Sequence, residues 1–296
     1  MGIWIDTDMG ADDIFAILLA ARNRPIDGIS LSFGNAPLPQ VRANAAGAAE
    51  AFGWTMPIHA GAERSILGEV TTAQTILGDA GIPTRGQTLP VARPKHDPAL
   101  PALIAWLEAE TLAEILALGP LSNLAILALA RPDLLDRIGR VIWMGGAVGR
   151  GNHTASAEFN AAADPEALAI LLARNVPLTM VDLDACRRVE ITEADVAGAD
   201  TTPLLRDLLG GYLDIALSRG RPAMALYDPV AAALLVAPHL FETAPAQITT
   251  ELAGTHSRGR TIVDQRRPDR ANAQIVADLQ SGPVRDLCLS ALEPRA

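Results

Sequence analysis

The chain of 296 residues is 49% hydrophobic and 20% charged, a balance that excludes disorder and implies a well-buried globular core. Its formal net charge is −10 with no Lys/Arg-rich block, which argues against nucleic acid or an anionic membrane as a partner. Cys186 and Cys288 form neither a CxxC pair nor a disulfide framework, no basic segment precedes Asp6, and no apolar run is long enough to span a bilayer, so a cytoplasmic protein is expected.

In chain order, Ile3–Ile5 reads as a strand and Ala11–Asn23 as an amphipathic helix. Gly28–Phe33 is a second strand closed by Gly34-Asn35, Pro39–Phe52 an Ala-rich helix, and Pro57–Ala60 a short strand. Glu63 to Pro98 is irregular, as functional lids and loops often are. Pro101–Glu110 is a helix, and Leu112–Leu118 a strand followed by Gly119-Pro120 and a helix at Ser122–Ala130. Arg140–Met144 is a strand ending in Gly145-Gly146, Pro165–Arg174 a helix and Leu178–Leu183 a strand. Helices dominate from there to Pro238, broken at Gly220-Arg221-Pro222. Gln247–Leu252 and Arg260–Asp264 read as a late hairpin, and Ile275–Leu279 opens a final strand–helix unit. The alternation predicts an α/β fold, a largely parallel open sheet flanked by helices. No repeat or linker interrupts it, so residues 1–296 are expected to form one domain.

Asp6, Asp8, Asp12 and Asp13 crowd the turn between the first strand and the first helix. Helix capping accounts for Asp12 or Asp13 but not for Asp6 and Asp8. Four carboxylates in one turn repel each other unless a cation lies among them, and an oxygen-only donor set suits a hard ion such as Ca²⁺ or Mg²⁺. Three more polar clusters, Gly34-Asn35, Leu118 to Asn123 and Met144 to Ala147, fall where strands end. In a parallel sheet all four share one edge, the edge at which ligands bind. Asn152, Glu158 and Asn160 offer donors and acceptors suited to sugar hydroxyls, and Tyr227-Asp228-Pro229 places an acid at the start of an apolar helix. His153 reads as an exposed loop histidine, and Trp4 and Trp143 as core residues.

Together these segments resemble the inosine–uridine preferring nucleoside hydrolase family. The family pattern DxDxGxDDxxA matches Asp6, Asp8, Gly10, Asp12, Asp13 and Ala16; the GN turn matches Gly34-Asn35, and GPL(T/S)N matches Gly119 to Asn123. MGGA matches Met144 to Ala147, GNxTxxAEFNxxxDPEA runs from Gly151 to Ala167, and a late DPV matches Asp228 to Val230. The matches occur in family order over nearly the whole chain. The resemblance implies a Ca²⁺ held by Asp8, Asp13, Asp228 and the Leu118 carbonyl, with Asp8 also the general base on a bound water. It implies that Asp12 and Asn35 hold the ribose hydroxyls, that Asn152, Glu158 and Asn160 bind the sugar, that Met144 packs against it, and that Asp6 supports the site from just outside the metal shell. The reaction implied is hydrolysis of the N-glycosidic bond of a ribonucleoside or related riboside, in nucleoside catabolism, by a homodimer or homotetramer.

Two positions depart from the family pattern. Tyr227 stands where a His precedes the late aspartate in the best-known members, and Leu77 stands in the place of the His of an HGxxGL-like loop. The metal and sugar half is intact and the usual leaving-group half is missing. Tyr227 could donate a proton or a hydrogen bond to the departing base, the alternative being that it merely packs there. A catalytically weak ribosyl-binding protein of the same fold is the alternative that these replacements raise. A Mg²⁺-dependent phosphohydrolase built on Asp6 and Asp8 is disfavoured, since Lys95, the only lysine, follows no suitable strand.

Overall fold

The computed structural model describes residues 2–294. Its strands are β1 (Ile3–Thr7), β2 (Ile26–Leu31), β3 (Ile58–Ala60), β4 (Asp97–Pro98), β5 (Ala113–Ala117), β6 (Ile138–Met144), β7 (Leu178–Val181), β8 (Glu190–Thr192), β9 (Ala223–Ala225), β10 (Phe241–Thr250), β11 (Thr261–Asp264) and β12 (Ala273–Leu279). Ten of them form one sheet in the order β11-β10-β12-β7-β6-β5-β1-β2-β3-β4. Every neighbouring pair from β12 to β4 is parallel, and β10 runs antiparallel to both β11 and β12.

Helices cover both faces, so the central strands are largely apolar. All five residues of β1 are buried. Their alternation divides the core: Ile3 and Ile5 pack into one layer and Trp4 into the other. In the first layer the helix Ala11–Asn23 lies along the helix Asp228–Val236. In the second, Trp4 stacks on His59 with ring centroids 5.6 Å apart, and its Nε1 donates to Ser30 at 2.9 Å. Trp143 is fully buried and donates to the Gly119 carbonyl at 3.2 Å. Both tryptophans are core residues, as their place in strands indicates.

Chain order fixes where the cleft opens. From β1 the chain moves outward to β2, β3 and β4; it then returns to β5, on the other side of β1, and moves the opposite way to β6 and β7. The connections after β1 and β5 therefore diverge, leaving a crevice at the carboxyl ends of these two strands.

The expected elements are present with shifted ends, including the late hairpin, whose register pairs Gln247 with Asp264. Three differences matter. The span read as purely helical contains the two-stranded sheet of β8 and β9, each only three residues long. The irregular stretch holds a one-turn helix, Gln74–Leu77, and the two-residue β4. A further short helix, Phe159–Ala163, carries Asn160. Elements this short contain too few residues for a period to show.

Asn123, in the first turn of the helix Ser122–Ala130 that follows β5, ties the central strands together. Its Nδ2 donates to Asp6 at 2.7 Å and to the Leu31 carbonyl at 3.1 Å, and its Oδ1 accepts from the Ala62 amide at 2.8 Å. Removing this side chain would leave the buried Ala62 amide without a partner and take one of two bonds each from Asp6, which keeps Ser30, and from the Leu31 carbonyl, which keeps the Gly61 amide. Asn123→Ala should therefore lose about 2–4 kcal/mol in urea unfolding. A loss below about 0.5 kcal/mol, the range of an ordinary surface substitution, would show that these bonds are not limiting.

Candidate active site

The four polar clusters follow β6, β5, β1 and β2, four neighbouring parallel strands, and their loops meet over the crevice. The cleft between them has about 900 Å³ of empty space, its open mouth included. It is lined by Asp8, Asp12, Asn35, Leu118, Met144, Asn152, Glu158, Asn160, Tyr227 and Asp228, and Asp13 lies fully buried just beneath. Every residue singled out in the sequence for the site is thus brought to one place.

The acidic turn is shaped by its own hydrogen bonds. Thr7 Oγ1 donates to Asp13 Oδ1 while accepting from the Met9 amide at 3.0 Å, and Asp13 Oδ2 accepts from the Gly10 amide at 2.7 Å. Asp13 therefore caps the helix that follows as well as facing the cluster. Met9, buried, takes φ 50°, a left-handed conformation that a side chain adopts only where its surroundings impose it. Asp8 is gripped by Asn35, whose amide donates to Oδ2 at 2.7 Å and whose Nδ2 donates to Oδ1 at 2.9 Å and to Asp13 Oδ2 at 3.1 Å. That grip requires the preceding glycine: a Cβ on Gly34 would lie 1.9 Å from Asp8 Oδ2. Asp6 points the other way, accepting from Ser30 and Asn123.

Carboxylate oxygens of Asp12, Asp13 and Asp228 lie within 4.8 Å of one another. Asp13 is also in hydrogen-bonding contact with both Asp8 and Asp228. Among the described residues no Lys, Arg or His bonds to any of these four. Burial first, and then the neighbouring carboxylates, push the Asp8 and Asp228 carboxyls well above their ordinary range. Burial likewise raises Asp13, and raises Asp6 and Asp12 to about 7. An all-oxygen set short of positive charge, in a cleft that Leu118 also lines, fits a hard divalent cation.

At the next part of the cleft, Asn160 Nδ2 donates to the carbonyls of Leu118 at 2.9 Å and Met144 at 3.0 Å. Both of its N–H groups are thereby used, leaving Oδ1 as an acceptor. Glu158 caps the helix Phe159–Ala163, accepting from the amides of Gly146 at 2.8 Å, Asn160 at 2.8 Å and Ala161 at 3.0 Å. Burial still raises its carboxyl to about 7. Asn152 is exposed and braces this helix by accepting from the Phe159 amide at 2.9 Å. His153 is exposed as expected, yet it lines the cleft mouth edge-on to Phe159, with ring centroids 5.4 Å apart.

The far end is formed by the Gln74–Leu77 turn and by the end of the helix Pro203–Leu217 with the strand after it. Leu77 and Tyr227 line it, so the two replaced histidines correspond to neighbouring walls. Burial raises the Tyr227 hydroxyl pKa, as does the nearby Cys186, while Arg187 and Arg221 oppose the rise. Tyr227 precedes the helix, and Asp228 is the first helical residue with Pro229 second, one step later than an N-cap aspartate. No sequence pattern marks Tyr212, whose hydroxyl lies 3.2 Å from Asp12 Oδ2 and 2.8 Å from the Ala225 carbonyl. A tyrosine on the buried face of a helix carries no mark of a partner 200 residues away.

A family model described as inosine-uridine preferring nucleoside hydrolase matches residues 3–286. The chain is 29% identical over 304 aligned residues to the pyrimidine-specific ribonucleoside hydrolase RihA of Escherichia coli (strain SMS-3-5 / SECEC), with 98% of each chain covered, and equally to that of Shigella sonnei (strain Ss046). It superposes on a plant nucleoside hydrolase with a TM-score of 0.90 at 25% identity, 99% of each chain being covered. For the purine-preferring ribonucleoside hydrolase from Gardnerella vaginalis the TM-score is 0.89 at 24% identity, covering 99% of this chain and 98% of that one, which speaks for the fold alone.

The raised carboxyls have a thermodynamic signature. A folded-state pKa near 7 means that Asp6, Asp12 and Glu158 keep protons that the unfolded chain has released above pH 4 or so, so folding stability falls as pH rises through that window. His59, His96 and His153, held below their ordinary value by burial, act in the opposite sense, but they are three against six raised carboxyls around the cleft, and none of the three is deeply buried. In chelator the protein should melt at a lower temperature at pH 8 than at pH 5, and a divalent cation should raise the melting temperature more at pH 8. Thermal melts at the two pH values, with chelator and with cation, check this. A chelated protein more stable at pH 8 would contradict it.

Proposed function

The chain belongs to the inosine–uridine preferring nucleoside hydrolase family and is a nucleoside hydrolase, and on that premise we propose a calcium-dependent N-ribohydrolase that splits a ribonucleoside or related riboside into ribose and free base. The observation that carries the reading is the contact of the buried Asp8, Asp13 and Asp228 carboxyls, without a basic partner, at the crevice between β1 and β5. Together with the Leu118 carbonyl these three would hold the ion. When bound, Ca²⁺ would lower the pKa of an attacking water and fix the ribose hydroxyls.

Asp8 takes the proton of that water. Asn35, whose N–H groups are spent on Asp8 and Asp13, offers its free Oδ1 to a ribose hydroxyl, and Asp12 accepts from another. Asn160 offers its Oδ1 in the same way, while Glu158 and Asn152 bind toward the 5′ end and Met144 packs against the ring. Bond breaking develops positive charge on the ribose, which this set of carboxylates favours. Tyr227 donates a hydrogen bond to the departing base. The relatives named for pyrimidine ribonucleosides make uridine and cytidine the first substrates to assay. We further propose that residues 1–296 form one cytoplasmic domain assembled as a homodimer or homotetramer. The two buried free thiols, Cys186 and Cys288, support a reducing compartment.

Asp8→Asn removes a charged ligand and the base together, so kcat should fall by more than about 10⁴-fold, with circular dichroism unchanged. Near-normal turnover by that folded variant would reject the mechanism. Calcium dependence is checked by metal analysis and by assay in chelator, where full activity without bound ion would exclude it.

Ribonucleosides should exceed their 2′-deoxy counterparts by orders of magnitude in kcat/KM, because a missing hydroxyl leaves buried polar groups unpaired. Comparable rates on the two would show the sugar assignment to be wrong. Tyr227→Phe should slow nucleosides more than p-nitrophenyl riboside, whose leaving group needs little help. Equal losses on both would remove Tyr227 from that role.

A further inference from the structure

Two exposed arginines, Arg219 and Arg221, line the cleft together with Tyr227. Helix Pro203–Leu217 stops in a Schellman turn: the Gly220 amide donates to the Leu217 carbonyl at 2.9 Å and the Arg221 amide to the Ala216 carbonyl at 3.1 Å, with Gly220 at φ 70°. This turn fixes the chain on both sides of the glycine, and it sets Arg219 and Arg221 on the cleft wall. Pro222 follows and prevents the helix from continuing. Among the described residues, neither guanidinium has a carboxylate or carbonyl partner. Arg221 is close enough to Tyr227 to act on its hydroxyl. The carboxylates lining the cleft, Asp8, Asp12, Glu158 and Asp228, all belong to the metal and sugar end. A chain with net charge −10 thus leaves two arginines uncompensated at the one place where the aglycone must lie.

We propose that Arg219 and Arg221 receive an anionic aglycone, so that the preferred substrate is a riboside whose base carries a carboxylate. The inference rests on the hydrolase reading above and adds the class of leaving group. Arginine supplies donors only, in a planar fork matched to a carboxylate, and it stays charged at every working pH. In the reaction the C1′–N bond breaks with its electron pair passing to the base nitrogen, the water oxygen bonds to C1′, and the water proton goes to Asp8. A carboxylated base then departs with one more negative charge than it brought. The guanidiniums offset that charge until solvent protonates the nitrogen.

The test compares uridine with 5-carboxyuridine and with 6-carboxyuridine, using the calcium-loaded full chain. The variants are Arg219→Ala/Arg221→Ala and Arg219→Lys/Arg221→Lys. For the better carboxylated substrate, the wild-type ratio of kcat/KM to that of uridine should exceed about 10. It should collapse about 10- to 100-fold in the alanine variant and be partly kept in the lysine variant. A wild-type ratio near or below one for both carboxylated substrates, or a preference that survives loss of both arginines, overturns the proposal. Calorimetry with the free bases gives a second readout that needs no turnover: the matching carboxylated uracil should bind more tightly than uracil, and the alanine variant should lose the difference. Arginine-dependent binding without turnover of any riboside supports the anion site and refutes the hydrolase reading. Turnover of uridine with no arginine-dependent preference in either assay does the reverse.

Discussion

The mutual repulsion of four carboxyls, the buried Asp8, Asp13 and Asp228 and the half-buried Asp12, is the constraint on which the rest of this structure depends. Taking one carboxylate out of water is costly, and placing several in contact multiplies the cost unless protons or a cation neutralise them. The surroundings hold the groups in place without neutralising them. Thr7, the Gly10 amide and Asn35 fix Asp13 and Asp8 through neutral donors, and Tyr212 borders Asp12. A lysine or arginine in their midst would have relieved the repulsion and filled the space that an ion needs. The site is therefore ordered by hydrogen bonds yet still short of positive charge, the state in which ion binding gains most.

Fold topology supplies the other half of the arrangement. No single loop could carry all the groups, but parallel strands end on one edge, and β6, β5, β1 and β2 are neighbours there. Asn123 and Asn160 then link the loops to each other. The first joins the ends of β1, β2 and β5, and the second joins the Leu118 and Met144 carbonyls after β5 and β6. Each asparagine spends its donors on the scaffold. For Asn160, and for Asn35, this leaves the acceptor oxygen uncommitted, so the same residue both holds the site together and shapes what it can bind.

The sheet, the main helices and the acidic and polar residues that line the cleft were legible in the sequence because each rests on a local pattern. Both-face burial writes apolar strands, and a ligand cluster in one turn writes Asp6 to Asp13. What escaped rests on distance or on brevity. Tyr212 meets Asp12 only through the packing of the helix Pro203–Leu217 beside the helix Ala11–Asn23. Strands β8 and β9 are too short to show alternation, although they set the position of Tyr227. His153 looked like an exposed loop residue and is one, but the loop closes onto the cleft mouth. The double service of Asp13, helix cap and member of the acidic cluster, shows that capping and ion binding are not exclusive readings of one residue.

The two halves of the cleft answer to different demands, and this explains why one keeps a fixed pattern while the other departs from it. Charge that develops on the ribose ring is the same whatever base is leaving, so the groups that respond to it have one workable geometry. Charge that develops on the leaving group depends on the base. A histidine acid is one response, and it needs a pKa near the working pH. Leucine at position 77 and a tyrosine with a raised pKa at 227 do not meet that requirement. A base that can carry negative charge needs no acid, only a cation beside it, and the turn after Leu217 sets two there. On the proposal of an anionic aglycone, the departures at Leu77 and Tyr227 and the arginines at 219 and 221, which have no acidic partner among the described residues, belong to one adaptation of the same pocket.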